Sequence, residues 1–199
     1  MSLPELTPLL LLEWAAVVLN ILFVVLIAYE KRIGWLVGFV ASVIGVGLYL
    51  LAQTWAMSVL NAYYVVMAVY GWWSWGRGAG EVAIHTQPWT FQLMMAAIGL
   101  MLSYVVFFFL KGYLNGRQPE LDAFVTVFSF IATWMMARKY ISCWYWFIVA
   151  DTVAIWLNWQ VDYKGFALLN VVYLGTSAFG LMKWGRALAK QREGPASME

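Results

Sequence analysis

The chain repeats itself at a fixed offset. Asn61, Tyr64, Tyr70, Gly71, Trp75, Gly76 and Arg77 are answered by Asn170, Tyr173, Phe179, Gly180, Trp184, Gly185 and Arg186, every pair 109 positions apart. Across 60–77 and 169–186, seven of eighteen positions are identical, where unrelated segments would share about one. The register holds upstream without insertion: Trp35 falls on Trp144, Val40 and Ala41 on Val149 and Ala150, and Leu48 on Leu157. Whatever the first half folds into, the second half is built to fold into as well.

The solvent of that fold follows from composition. The chain is 64% hydrophobic and 11% charged, whereas a soluble domain is about half apolar and about a quarter charged. Thirteen Trp and eleven Tyr suit a chain that meets membrane–water interfaces, where such rings concentrate. Crossing the hydrocarbon core takes about 20 apolar residues. Seven runs qualify: 9–29, 33–52, 57–76, 89–110, 121–137, 141–159 and 165–184. The expected fold is therefore an all-α membrane protein of seven transmembrane helices in a 3+1+3 plan. The whole chain, 1–199, forms a single transmembrane domain, with repeat one at 9–77, a linker helix at 89–110 and repeat two at 121–186. One odd helix between the repeats makes both run in the same direction, the parallel-repeat case.

Basic residues set the orientation. Lys111, Arg117 and Lys164 fall on the side of the N-terminus. Lys31, Arg32, Arg77, Arg138, Lys139, Lys183, Arg186, Lys190 and Arg192 fall on the other. Positive charge marks the cytoplasmic side, so the N-terminus is expected outside and the C-terminus inside. Glu30, Lys31, Arg32, Arg138 and Lys139 read as cytoplasmic loop charges, and Trp75 and Trp184 as anchors at the membrane boundary. The segment before the first span has no basic residue after Met1, so it lacks the positive region of a signal peptide. Gly76–Gly80 reads as a flexible loop, and the polar tail from Gln191 as frayed.

Several functions are excluded. A net charge of +2 leaves no nucleic-acid footprint. The single Cys143 cannot form a disulfide within the chain or build a cysteine metal site, and His85 stands in a loop without ligand partners. No P-loop, nucleophile–base arrangement or metal spacing occurs. The chain reads as neither an enzyme nor an ATP-driven pump, and it calls for no cofactor.

The chemistry that remains is inside the spans. Asp151 lies near the middle of span six, where a carboxylate costs a few kcal/mol and usually faces the bundle interior or a wet cavity. The repeat places Ser42 at the equivalent position, so the halves offer different polar groups at matched depth. Trp144 and Phe147 precede Asp151 by seven and four residues, and such spacings share one helix face. Rings on that face can stack on a flat heterocycle or attract a cation. The structural alternatives are an Asp bonded to a neighbouring helix and a Trp anchoring the interface. Asn170, Tyr173, Ser177, Gly180 and Trp184 step by 3, 4, 3 and 4 down span seven, as Asn61, Tyr64, Ala68, Gly71 and Trp75 do down span three. The glycines permit close helix approach. The amides and phenols can bond a substrate or another helix.

Together these residues resemble the PnuC-type vitamin transporters, relatives in architecture of the SWEET sugar transporters. Tyr70-Gly71-Trp72-Trp73-x-Trp75 carries the likeness in the first half. Thr133-Trp134-Met135-Met136-Ala137-Arg138-Lys139-Tyr140 and the tryptophan-rich start of span six carry it in the second. The resemblance runs from about residue 13 to 186. It implies a bacterial inner-membrane protein, often a homotrimer, in which each protomer holds its own substrate path. It also implies passive uptake of a small vitamin that a cytoplasmic kinase then traps. The family's span-six signature resembles Trp-xx-Trp-xxx-Asn/Asp; here it reads Trp144-xx-Phe147-xxx-Asp151, with Phe for the middle Trp. The usual family substrate is nicotinamide riboside, a flat cation, and close relatives carry thiamine. Asp151 suits either charge. The resemblance implies that Trp144 and Phe147 stack on the heterocycle while Asn170, Tyr173, Asn61 and Tyr64 donate and accept hydrogen bonds. The bundles would rock about a midplane site. A membrane receptor or assembly subunit is the reading from another class.

Overall fold

The computed structural model describes residues 8–52, 55–77, 83–113, 119–160, 162 and 164–193. Among these, seven helices account for nearly all of the chain: α1 (Pro8–Ala28), α2 (Ile33–Leu51), α3 (Trp55–Ser74), α4 (Trp89–Tyr113), α5 (Pro119–Ala137), α6 (Ser142–Gln160) and α7 (Lys164–Glu193). The shortest have 19 residues, which at about 1.5 Å per residue nearly spans the core of a bilayer. By length and composition, α1, α2 and residues Trp89–Lys111 of α4 are apolar enough to cross on their own. The remaining helices carry the tyrosines, tryptophans and amides that lower mean hydropathy.

The described residues divide into two compact units, 1–77 and 78–199. In the first, α2 packs against both α1 and α3. In the second, α6 packs against α5 and α7, and α4 packs on α5. The interior of the first unit is built on Ile27, Trp35, Ala41, Ala68 and Trp75, and that of the second on Ala132, Met135, Met136, Trp144, Ala150 and Trp184. Phe124 stacks on Phe128 with ring centroids 4.0 Å apart, and Trp146 lies over Phe128 while its indole N–H donates to Gln92 Oε1 at 2.8 Å. These contacts fix α4, α5 and α6 to one another.

The duplication reaches the level of single hydrogen bonds. α2 and α6 begin and end 109 residues apart, and α3 and α7 begin so. The turn after α1 is closed by Glu30 N–H to Ile27 O and Lys31 N–H to Leu26 O, each 2.9 Å. The turn after α5 is closed by Lys139 N–H to Met136 O and Tyr140 N–H to Met135 O, each 3.0 Å. These paired bonds are a Schellman cap, which places one residue in the left-handed region. Here those residues are Glu30 (φ 57°) and Lys139 (φ 52°), matched by the same offset.

The two turns differ in what holds them. Arg32 Nε donates to Trp72 O at 2.8 Å and its guanidinium lies 3.9 Å over the Trp72 ring. In the second unit, the His85 N–H donates to Lys139 O and His85 O accepts from Ile141 N–H, a short backbone strap across the turn. The Tyr140 ring stands nearly perpendicular to those of His85, Phe91 and Trp134.

Three expectations change here. Lys139, read as an exposed loop charge, is only 3% exposed, because the left-handed cap turns it inward under the strap. Trp75 and Trp184, read as boundary anchors, are buried, each set edge-on against the tryptophan of the neighbouring helix. The α7 helix includes residues 191–193 instead of fraying at Gln191, and the rest of that tail, 194–199, lies outside the described residues. Of the Gly76–Gly80 loop, residues 78–80 lie outside the described residues.

Candidate substrate-binding site

α6 carries the residues singled out by the sequence, and its neighbours decide what each can do. Trp144 is fully buried. Its ring meets Trp184 edge-on at 5.4 Å and 87°, and a Cβ on Gly180 would overlap three of its ring atoms. Trp35 repeats this arrangement in the first unit, edge-on to Trp75 at 5.6 Å and 84° and lying where a Cβ on Gly71 would fall. The Trp–Trp–Gly knot is thus the shared scaffold of both repeats. It explains why Gly71, Gly180, Trp75 and Trp184 are among the identities. Among the described residues, the indole N–H groups of Trp35 and Trp144 are both buried without a hydrogen-bond partner. Since both repeats have this orphan donor, it belongs to the knot in common and does not distinguish the halves.

The second ring beside the knot is what the repeats exchange. In the first unit it is Phe23 of α1, edge-on to Trp35 at 5.5 Å, and it lies against Gly38, where a Cβ would come within 2.8 Å. The equivalents in the second half are Ala132, fully buried on α5, and Phe147 of α6. Phe147 lies 6.5 Å from Trp144. A large-for-small swap across the helix pair therefore moves an aromatic ring onto α6, one turn before Asp151 and on its face.

Asp151 is partly exposed, and among the described residues its hydrogen-bond partner is Ser177, whose Oγ donates to Oδ2 at 3.2 Å. Ser177 is itself buried. The bond ties α6 to the seam of α7 that carries Tyr173 and Asn170 four and seven residues earlier; both are half-buried. Asp151, Phe147 and this seam can thus offer a carboxyl oxygen, a ring face and amide and phenol groups within the second unit.

In the first unit the equivalent positions are quieter. Ser42 is buried on α2. Asn61 donates from Nδ2 to Met57 O at 2.8 Å, and its Oδ1 occupies the place where a Cβ on Gly45 would fall. Tyr64 sets its ring edge against Tyr63 at 5.8 Å. Ser177 was part of the predicted seam but not of the predicted site. The signal that could have found it is its repeat mate: Ala68 stands opposite Ser177 as Ser42 stands opposite Asp151.

The riboflavin/roseoflavin transporter RibM of Streptomyces davaonensis is 25% identical over 180 residues, covering 86% of this chain and 84% of RibM. The crystal structure of the vitamin B3 transporter PnuC has the same fold, with a TM-score of 0.74 and 24% identity over 90% of this chain and 82% of that one. The family model for nicotinamide mononucleotide transporters matches residues 10–186. The chain is a multi-pass membrane protein that belongs to the nicotinamide mononucleotide transporter family, a family of transporters and not of enzymes.

Proposed function

We propose that this protein carries a small cationic vitamin or nucleoside across the membrane by facilitated diffusion, with nicotinamide riboside as the substrate and thiamine as the alternative. The observation that carries the reading is Asp151. It is a partly exposed carboxyl inside a membrane helix, bonded among the described residues to Ser177, and with Phe147 on its own face. A carboxyl group at that depth is costly unless it serves a substrate or a structural partner, and a single serine leaves most of its acceptor capacity unused. A flat heterocycle lies on Phe147 and turns its charge, or a ribose hydroxyl, toward Asp151. Asn170 and Tyr173 add hydrogen bonds from α7. Trp144 backs Phe147 and fixes the wall on which the heterocycle rests. Ser42, Asn61 and Tyr64 are the polar groups that the first repeat itself contributes to substrate binding.

The relatives support a flat vitamin, since riboflavin is one and RibM carries it. Riboflavin is uncharged, however, and a carboxyl group in the membrane favours a cation. The protein works in a bacterial inner membrane with the N-terminus outside and the C-terminus in the cytoplasm, as a homotrimer, and a cytoplasmic kinase traps what it admits. The test is a binding titration of the purified protein with nicotinamide riboside, thiamine and riboflavin, on wild type and Asp151→Ala. The reading expects one of the two cations to bind tightest and to lose at least tenfold in the variant. Riboflavin binding tightest, with Asp151→Ala unaffected, would sink it.

A further inference from the structure

An internal repeat lets a chain serve as its own control. Asp151 and Ser177 occupy the places that the first repeat fills with Ser42 and Ala68. Two departures from symmetry, 26 residues apart in sequence, meet in one hydrogen bond between α6 and α7. The hydroxyl's direction is itself informative. Hydroxyls in membrane helices commonly bond back to a carbonyl of their own preceding turn. Here Thr133 donates to Ser129 O, Thr152 to Ile148 O and Thr176 to Tyr173 O. Ser177, next to Thr176, instead turns its hydroxyl across to the neighbouring helix, and does so while buried.

We propose that Ser177 is a positioning and specificity-determining residue that acts through Asp151. This rests on the reading of Asp151 as the substrate-contacting group. An aspartate on a helix can swing about two side-chain torsions. Donation from Ser177 to Oδ2 holds the carboxyl plane and leaves Oδ1 to accept from the substrate. The consequence is selective for substrates that bring a cationic ring or an N–H or O–H donor to that oxygen. An uncharged heterocycle that only stacks on Phe147 gains little from the same bond. In the first repeat, Ala68 offers no hydroxyl and Ser42 carries no charge.

The experiment is substrate affinity in the purified protein, read with radiolabelled nicotinamide riboside and, in parallel, thiamine. The variants are Ser177→Ala, the isosteric pair Ser177→Thr and Ser177→Val, Asp151→Ala, and Asp151→Ala with Ser177→Ala. Thermal unfolding of each variant controls for folding. A hydrogen bond to a charged group predicts that Ser177→Ala weakens binding by about tenfold. Ser177→Thr should stay within about threefold of wild type, while Ser177→Val is as weak as Ser177→Ala. Removing Ser177 from the Asp151→Ala protein should cost under about twofold, because groups that act through one another are not additive. A merely structural serine would cost the same factor in both backgrounds and would leave Thr and Val alike; either result overturns the proposal. If Asp151→Ala binds like wild type, the underlying reading of the site fails. If Asp151→Ala is weak but Ser177→Ala and Ser177→Val bind normally, only the role of Ser177 fails. Should Asp151→Ala abolish binding, the Thr and Val contrast alone decides.

Discussion

Gly180→Ala is the sharpest probe of the scaffold. The added methyl group falls inside van der Waals contact of Trp144 Cη2, Cζ2 and Cζ3. The ring has nowhere to move. It is fully buried, and its other neighbours include Trp184, equally buried and set edge-on at 5.4 Å, and Phe147. Overpacking a filled interior costs about 1–3 kcal/mol, and a rigid indole held on several sides puts this site in the upper half of that range. Alanine's better helix propensity returns about 1 kcal/mol, so the net loss is about 1–2 kcal/mol. At about 2–4 °C per kcal/mol for a chain of this size, the melting temperature in detergent should fall by roughly 2–8 °C. Gly185 supplies the control, being in the same helix with nothing within 4 Å of its would-be Cβ. Gly185→Ala gains the propensity alone and should raise the melting temperature by roughly 2–4 °C. The assay is thermal unfolding of the three proteins side by side, followed by tryptophan fluorescence. If Gly180→Ala melts at or above wild type, the claim that the Trp–Trp–Gly knot is close-packed is wrong.

Other perturbations follow from particular contacts. Gly45→Ala should displace Asn61, whose Oδ1 sits where the methyl would go, and lower the melting temperature. Ala154→Gly, at the equivalent place in α6, removes a buried methyl and about 1 kcal/mol of helix propensity, and should lower it by roughly 2–4 °C. Arg32→Ala removes both the bond to Trp72 O and the stack on its ring. The combined loss of about 1–2 kcal/mol should appear as a fall of roughly 2–8 °C, with Arg32→Lys recovering only part of it. Trp146→Phe leaves Gln92 Oε1 without its donor at a cost of about 1 kcal/mol. A double-mutant cycle with Gln92→Leu should give a coupling of similar size, and additive effects would show that the bond contributes nothing.

Much of this architecture was legible because a repeat states each structural requirement twice. The bounds of α2 and α6, the Schellman turns and the Trp–Trp–Gly knots lie 109 residues apart, so identities in the sequence became identities in packing. What the identities meant was less legible. Trp75 and Trp184 precede Gly-Arg, as interface anchors do, yet the glycine one turn earlier opens a slot that draws the neighbouring tryptophan over it. Lys139 looked solvated because charges usually are, and nothing local announced that a left-handed cap and a strap from His85 would bury it. The functional side came from the mismatches. Asp151 was visible as a lone carboxyl in an apolar span. Ser177 was hidden within a seam that served helix packing equally well, and it became distinct only once the structure joined it to Asp151. The exchange of Phe23 and Gly38 for Ala132 and Phe147 was equally invisible, because the compensating residues lie on different helices.

The central claim is transport, and flux tests it most directly. The purified protein in liposomes, with labelled nicotinamide riboside or thiamine outside, should fill the lumen to the external concentration and no further. Entry should saturate, unlabelled substrate should compete, and Asp151→Ala should slow it at least tenfold at low substrate. Liposomes that admit neither label faster than protein-free vesicles, while the same protein stays folded, would contradict the account.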